Sequence, residues 1–432
     1  MVVSCKHESV IVVGAGCFGI STAYHLLQRG FTDVTVIDRS ETLPAPDAAS
    51  TDINKVVRTS YSDIFYTRLA RDAIEEWKKT EEWGDTYRES GVLVSGSSDE
   101  RPYASKAYIN DLTLGVRTVK LDSGDAARAV FPANVKTGIS FERSLGYLNL
   151  DSGWALAAQG VEKLMARVIT LGGKVVSGMA VVGLMREDGR TSGVRLADGS
   201  SISARLVVIA SGSWTASTFP ELNLGESCLS TGQTIAHIKL TEVEAAPYRN
   251  VPVVLDFQSN FYVFPPNDDN IIKFGLHNSG VVHYTHGGTE KKIVSTPRTV
   301  SSHGDDGLRV PQSSLKRLRS SLRDVYPDLA DKAFTSTRLC WYTDSPDGDW
   351  VIGYYPSDTG LFLATSGSGH AYKFLPVIGR IIADAIEGTL DPVIAQKFAT
   401  DRKHLTFDQS RGLLRPLDLA TEQLCLPEDL LP

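Results

Sequence analysis

Three glycines near the start of the chain have the types and spacing to cradle a phosphate. Gly14, Gly16 and Gly19 stand as G-x-G-x-x-G directly after the apolar run Ile11 to Val13. A helical pattern of Ile20, Ala23, Tyr24, Leu26 and Leu27 follows, and a second apolar run ends at Asp38. Gly14 permits the tight turn, and Gly16 lets the backbone approach a pyrophosphate seated on the helix N-terminus. Gly19 lets the helix lie close to the sheet. Asp38 can accept hydrogen bonds from a ribose hydroxyl, and Arg39 beside it joins the same cofactor-binding set. Strand, turn, helix, strand and terminal acid make residues 11–38 a dinucleotide-binding unit. NAD and FAD fit the unit equally well, and that choice decides the chemistry.

The elements that would position this unit recur along the chain. Trp154 to Leu171 has helical periodicity and leads to the strand Lys174-Val175-Val176. Val181 to Leu184 and Thr191 to Leu196 flank Asp188-Gly189, a hairpin signal. Ser203 to Trp214 holds a buried strand ending on small residues, placed to carry the chain beneath a bound dinucleotide. Leu361 to Ala364 is another apolar strand, followed by the turn Thr365 to Gly369 and a helical stretch from Phe374 to Glu387, which Gly388 stops. Two insertions separate these pieces. The second alternates through Thr234, Ala236, Ile238 and Leu240, then Phe261 to Phe264 and Ile271 to Leu276, which predicts antiparallel strands. The expected fold is α/β. A Rossmann-like nucleotide domain is discontinuous over 1–90, 146–230 and 338–400, and a second, α+β substrate domain on an antiparallel sheet covers 91–145 and 231–337. A tail spans 401–432. The polar stretch Asn278 to Asp306 reads as a surface loop or lid.

Composition narrows the class. The 432 residues are 42% hydrophobic and 22% charged, enough apolar material for a sizeable core and for two domains. A net charge of -7 without a basic stripe argues against nucleic acid as a partner. No apolar run is long enough to span a bilayer, so no membrane is expected. The cysteines at 5, 17, 228, 340 and 425 are odd in number and unpaired in spacing, which points to a reducing compartment. A cytoplasmic monomer without a metal is the expectation. The C-terminal Asp-Leu-Leu-Pro offers no obvious peroxisomal address, although that compartment stays open.

Four separated motifs carry a family resemblance. They are residues 11–38, Val208-Ile-Ala-Ser-Gly-Ser-Trp214, Arg338-Leu-Cys-Trp-Tyr-Thr343 and Ser366-Gly-Ser-Gly-His-Ala-Tyr-Lys373. In these the chain, from Ile11 to about Gly388, resembles the monomeric sarcosine oxidase group of FAD amine oxidases, which includes pipecolate, saccharopine and fructosyl amino acid oxidases (amadoriases). The resemblance implies the glutathione reductase or D-amino acid oxidase type of FAD domain. It also implies covalent FAD, attack on the C–N bond of a secondary amino acid, and release of hydrogen peroxide.

Site residues follow from the matched positions, each beside a plainer account. Cys340 matches the cysteine joined to the flavin; as a free thiol it would be a small buried hydrophobe. Lys273 matches the lysine that helps oxygen accept an electron; otherwise it is a surface lysine on an edge strand. His277 matches an active-site histidine, and Tyr262 and Tyr342 match aromatic residues around the amine, where core or sheet roles are equally open. Arg58 and Lys373 match the two cations on the substrate carboxylate, Arg58 by its planar fork. Lys373 could instead be a solvated lysine at a helix start. Lys55 matches a basic residue facing the flavin, or is a solvated loop lysine. Gly367, Gly369 and His370, with Lys373, complete the cofactor set implied by the last motif.

The activity implied is FAD-dependent oxidation of an N-alkyl or cyclic amino acid. Hydride passes from the C–H next to nitrogen to flavin N5, the imine is hydrolysed, and O2 becomes H2O2. Asn54-Lys55 and Lys373-Phe-Leu-Pro376 look amadoriase-like, so a deglycating fructosyl amino acid oxidase is the alternative. Gln258 stands where fructosyl-specific relatives place an acid, which weakens that alternative. An N-methyl aromatic amino acid from secondary metabolism is a further candidate, and a non-catalytic flavin-binding protein is the reading from another class.

Overall fold

Four apolar runs build the sheet that carries the glycine turn. Val10–Val13 and Leu206–Ile209 are aliphatic on both faces, Val34–Ile37 departs from this only at Thr35, and Asp358–Thr365 is apolar from Leu361 to Ala364. Such strands fit the interior of a parallel sheet with layers on both sides. The computed structural model describes residues 6–96, 102–139, 146–287, 292–403, 410–411 and 415–432. In it the sheet runs in the order Val351–Tyr355, Asp358–Thr365, Leu206–Ile209, Val10–Val13, Val34–Ile37, Lys174–Val176. Every pairing is parallel except that of the edge strand Val351–Tyr355. Helices Cys17–Gln28, Ala157–Thr170 and Ile378–Glu387 cover one face. The meander Val181–Glu187, Arg190–Leu196 and Ser201–Ser203 covers the other, turning at Asp188 and Gly189, both with positive φ.

A ten-stranded sheet stands beside this layer. Its order is Leu417–Asp418, Val281–Val282, Leu229–Lys239, Ile271–Leu276, Phe261–Val263, Val253–Asp256, Val92–Ser95, Gly146–Asn149, Thr118–Leu121, with Ser336–Asp344 also paired to Leu229–Lys239. Helix Gln312–Val325 packs its Leu315, Leu318 and Leu322 under one face. The opposite face carries the aromatic and polar side chains of the site.

Sheet membership departs from the sequence expectation in several places. Gly146–Asn149 pairs with Val92–Ser95 and Thr118–Leu121, so it belongs to the large sheet and not to the nucleotide domain. Ser336–Asp344 pairs along its whole length with Leu229–Lys239, which puts Cys340 on the large sheet as well. The tail is not separate either: Leu417–Asp418 is a strand of that sheet, and Arg411 is buried. Trp154 lies in the strand Gly153–Ala155, and the helix starts at Ala157. Much of the expected loop 278–306 is regular: Val281–Val282 joins the large sheet, and Tyr284–Gly287 pairs with Lys292–Ser295. Residues 288–291 and Cys5 lie outside the described residues.

Candidate active site

Strand alternation selects which residues face the nucleotide domain. Along Ile271–Leu276, Ile272, Phe274 and Leu276 enter the lower core, while Lys273 and Gly275 take the other face. Tyr262 and Phe264 from one neighbouring segment, and Cys340 and Tyr342 from Ser336–Asp344, share a cluster on that face. The strand of Lys273 has partners on both sides, so the edge-strand account is wrong for it. Its ammonium is 1% exposed and lies 5.0 Å from the Phe264 ring and 5.8 Å from the Tyr262 ring.

Two of the buried cations there share one carboxylate that the sequence motifs did not flag. Asp52 Oδ2 stands 2.5 Å from Lys273 Nζ and 3.3 Å from Lys55 Nζ. Lys273 also donates to the Asn54 carbonyl at 2.8 Å, and Lys55 Nζ is 3.4 Å from Cys340 Sγ. Burial alone would raise the Asp52 pKa, but Lys273 and Lys55 outweigh it and hold the carboxyl far below the usual range. Burial pulls Lys273 down to about 8 even with Asp52 opposing it. Lys55 moves up despite burial, because the Cys340 sulfur and Asp52 favour its charge. Nothing in Thr51-Asp-Ile-Asn-Lys55 marks Asp52 by period or motif.

A second group of buried cations gathers at Tyr61 and Tyr342. The Arg58 guanidinium sits 4.5 Å over the Tyr61 ring and 5.4 Å from Phe257, donating to the Ser60 carbonyl and, at 3.4 Å, to the Tyr103 hydroxyl. Lys373 Nζ is 5.2 Å from the centroid of the same Tyr61 ring and donates to the His370 carbonyl at 2.8 Å. Both are buried, and among the described residues neither is paired with a carboxylate. Burial, with Arg58 and Lys55 adding repulsion, pushes Lys373 well below an ordinary lysine. Burial and the charges of Arg411, Arg58, His370 and Lys373 likewise keep His277 neutral. Arg411, unmarked in the sequence, has its charge met: it donates to Asp344 at 2.5 Å and lies 5.2 Å from the Tyr342 ring.

Of the expected cofactor residues, Gly14, Gly16, Asp38, Arg39, Lys55, Gly367 and Gly369 line a cavity of about 640 Å3 that reaches from Asp38 and Arg39 to Lys55, Tyr342 and Gly369, while Gly19, Cys340, His370 and Lys373 lie outside its lining. Gly14 has φ +110°, and a Cβ on Gly19 would stand 1.8 Å from the Gly14 carbonyl oxygen, so the helix packs onto the turn as expected. A Cβ on Gly16 would meet only Ser50 Oγ, at 3.3 Å; the room there opens into the cavity. Asp38 accepts from Ala15 N at 2.8 Å and Ser40 N at 2.9 Å, which orders the turn from the second strand. The Arg39 guanidinium lies 4.0 Å over the Trp214 ring at the same end. Beside the lining residue Lys55 in the chain, the Asn54 carboxamide is fully buried with neither polar atom bonded. A glycine turn with room for a phosphate at one end and the Lys55 ammonium at the other fit a long, polar dinucleotide. His370 departs from expectation: its ring bonds Tyr61 and the Gly348 carbonyl and stacks on Trp350, so only its backbone oxygen serves the site.

Comparison with known proteins agrees with this geometry. The pattern of the FAD dependent oxidoreductase (DAO) family matches residues 9–385. The L-saccharopine oxidase of Schizosaccharomyces pombe is 30% identical over 406 residues, covering 89% of this chain and 90% of its own length. The amino acid oxidase fsqB of Aspergillus fumigatus is 31% identical, covering 86% of this chain and 91% of its own. Among solved structures, the deglycating fructosamine oxidase Amadoriase II of Aspergillus fumigatus superposes with a TM-score of 0.84 at 27% identity over 98% of both chains. A glycine turn that alone suits either NAD or FAD is thereby assigned: the chain belongs to the FAD dependent oxidoreductase family, among relatives of the sarcosine oxidase and amadoriase group.

Proposed function

We propose that the protein oxidises the C–N bond of a secondary amino acid, N-alkyl or cyclic, with O2 as the final acceptor. The observation that carries this reading is the pair Arg58 and Lys373, two buried cations without a carboxylate. A substrate carboxylate supplies the missing charge and favours the charged form of Lys373, against the burial that disfavours it. FAD, when bound, supplies the two-electron acceptor for the C–H next to nitrogen and hands those electrons to O2. Gly14, Gly16 and the start of Cys17–Gln28 would hold its pyrophosphate, Asp38 and Arg39 its adenosine end, and Lys55 would face its ring system. Cys340 is proposed as the point of covalent attachment, with Lys55 Nζ 3.4 Å from its Sγ.

The remaining work falls to the chain's own side chains. Tyr342 and the neutral imidazole of His277, with rings 6.2 Å apart, frame an amine and disfavour its ammonium form. Water then hydrolyses the imine product. In the return half of the cycle O2 gains two electrons and two protons to become H2O2, and Lys273 offers a fixed cation to the negative charge as it develops. An N-alkyl or cyclic substrate is favoured over a fructosyl one because Asp256, the carboxylate closest to Gln258 along the chain, is engaged in its own turn. It accepts from Ser95 Oγ, Gln258 N and Ser259 N. A peroxide-coupled screen tests the reading: sarcosine, N-methyl amino acids, pipecolate or saccharopine should give peroxide, and turnover confined to fructosyl amino acids would overturn it.

A further inference from the structure

Most buried charges of the site have a role above; Asp52 does not. It is 2% exposed, and its Oδ2 is the single carboxylate oxygen among the described residues that touches both Lys273 and Lys55. Lys273 is held at two points, Asp52 Oδ2 at 2.5 Å and the Asn54 carbonyl at 2.8 Å, both on one segment. That segment therefore fixes the ammonium in position, and Asp52 is the carboxylate in it that favours the charge, ahead of the smaller contribution of Cys340.

We infer that Asp52 is the positioning residue of the oxygen-side lysine, holding the Lys273 ammonium in place and in its charged form while tying Lys55 beside Cys340. The inference rests on the oxygen-side role proposed for Lys273. The groups facing the pair are Lys55 from the same segment, His237 opposite Lys273 in the paired strand, Arg338 and Cys340 from Ser336–Asp344, and Tyr262 and Tyr342. His237 is held neutral, its pKa lowered to about 4 by burial, so it adds no positive charge at neutral pH. Lys55 repels Lys273, and Asp52 is the counterweight. A lysine brought down to about 8 by burial, with Asp52 still in place, loses its proton near neutrality once that carboxylate is neutralised.

The test is stopped-flow reoxidation of the substrate-reduced holoenzyme by O2 across pH, for the wild type, Asp52→Asn, Lys273→Met and the double variant. Reoxidation should be fast where Lys273 is charged and fall as pH rises through its pKa. Asp52→Asn should move that fall to lower pH by at least about one unit, making reoxidation at least about fivefold slower at pH 8. Anaerobic reduction by substrate should change little. In the Lys273→Met background, Asp52→Asn should add nothing. The absorbance change of the oxidised flavin on titration should also move to lower pH in Asp52→Asn and vanish in Lys273→Met. Lys55→Met, which keeps the carboxylate, should move the profile upward, and it decides the matter if Asp52→Asn does not fold. An unaltered profile in the foldable variants, or equal slowing by Asp52→Asn with and without Lys273, overturns the inference alone. Unaltered reoxidation in Lys273→Met overturns the oxygen-side role and this inference with it.

Discussion

Single side chains here are told apart by how their charges are met. Lys55 and Lys273 share Asp52, Arg411 has Asp344, and Arg58 with Lys373 waits for an anion. Arg58→Ala should therefore raise the substrate KM steeply, because leaving a bound carboxylate unpaired costs about 2–5 kcal/mol. Steady-state kinetics with unaltered KM would remove Arg58 from the clamp. Cys340→Ser should abolish acid-stable flavin: after acid precipitation the colour should be in the supernatant, and a yellow pellet would place the attachment elsewhere. Residues whose type suggests a chemistry, such as Cys340 and Arg58, were legible beforehand as candidates. Asp52 and Arg411 were not. Each meets its partners from far along the chain, Asp52 at Lys273 and Arg411 at Asp344 and Tyr342, and neither lies in a periodic pattern.

Elements were read best where one period dominates. The all-apolar strands Val10–Val13 and Leu206–Ile209 have no other environment than a covered parallel sheet, and Asp188-Gly189 could only turn a hairpin. Gly146–Asn149 and Ser336–Asp344 escaped because a strand's sequence fixes its faces but not its neighbours. Their membership in the large sheet depends on pairing with Val92–Ser95 and Leu229–Lys239. Element packing also supplies a prediction. Gly19→Ala puts a Cβ 1.8 Å from the Gly14 carbonyl oxygen, so helix and turn must part. Overpacking of this kind costs about 1–3 kcal/mol. Thermal unfolding should show a lower Tm together with a lower flavin content; full flavin content at unchanged Tm would mean the helix does not rest on the turn.

At the scale of the whole molecule, burial sets the pH range in which the chain stays folded. His25 and His237 are lowered to about 4, and His277 and His370 also lie well below 6.5, in every case chiefly by burial. The folded state thus binds fewer protons than the unfolded chain between these values and 6.5. The stability these groups confer is present above pH 6.5 and is lost as pH falls toward 4, by up to about 1.4 kcal/mol per unit for each histidine. Urea midpoints should fall steadily across that interval, and a flat profile would show that protonation is tolerated in the fold. The same burial strips water from Arg58 and Lys373, which in the proposed function are left to a substrate carboxylate. The central claim is that a carboxylate bound by these two cations presents its neighbouring secondary amine for oxidation. Its most direct measurement is anaerobic bleaching of the flavin by the best substrate of the amine screen, compared with bleaching by the methyl ester of that substrate. The account predicts rapid bleaching by the acid, and bleaching by the ester that is at least about a hundredfold weaker at equal concentration. Equal bleaching by acid and ester would contradict it.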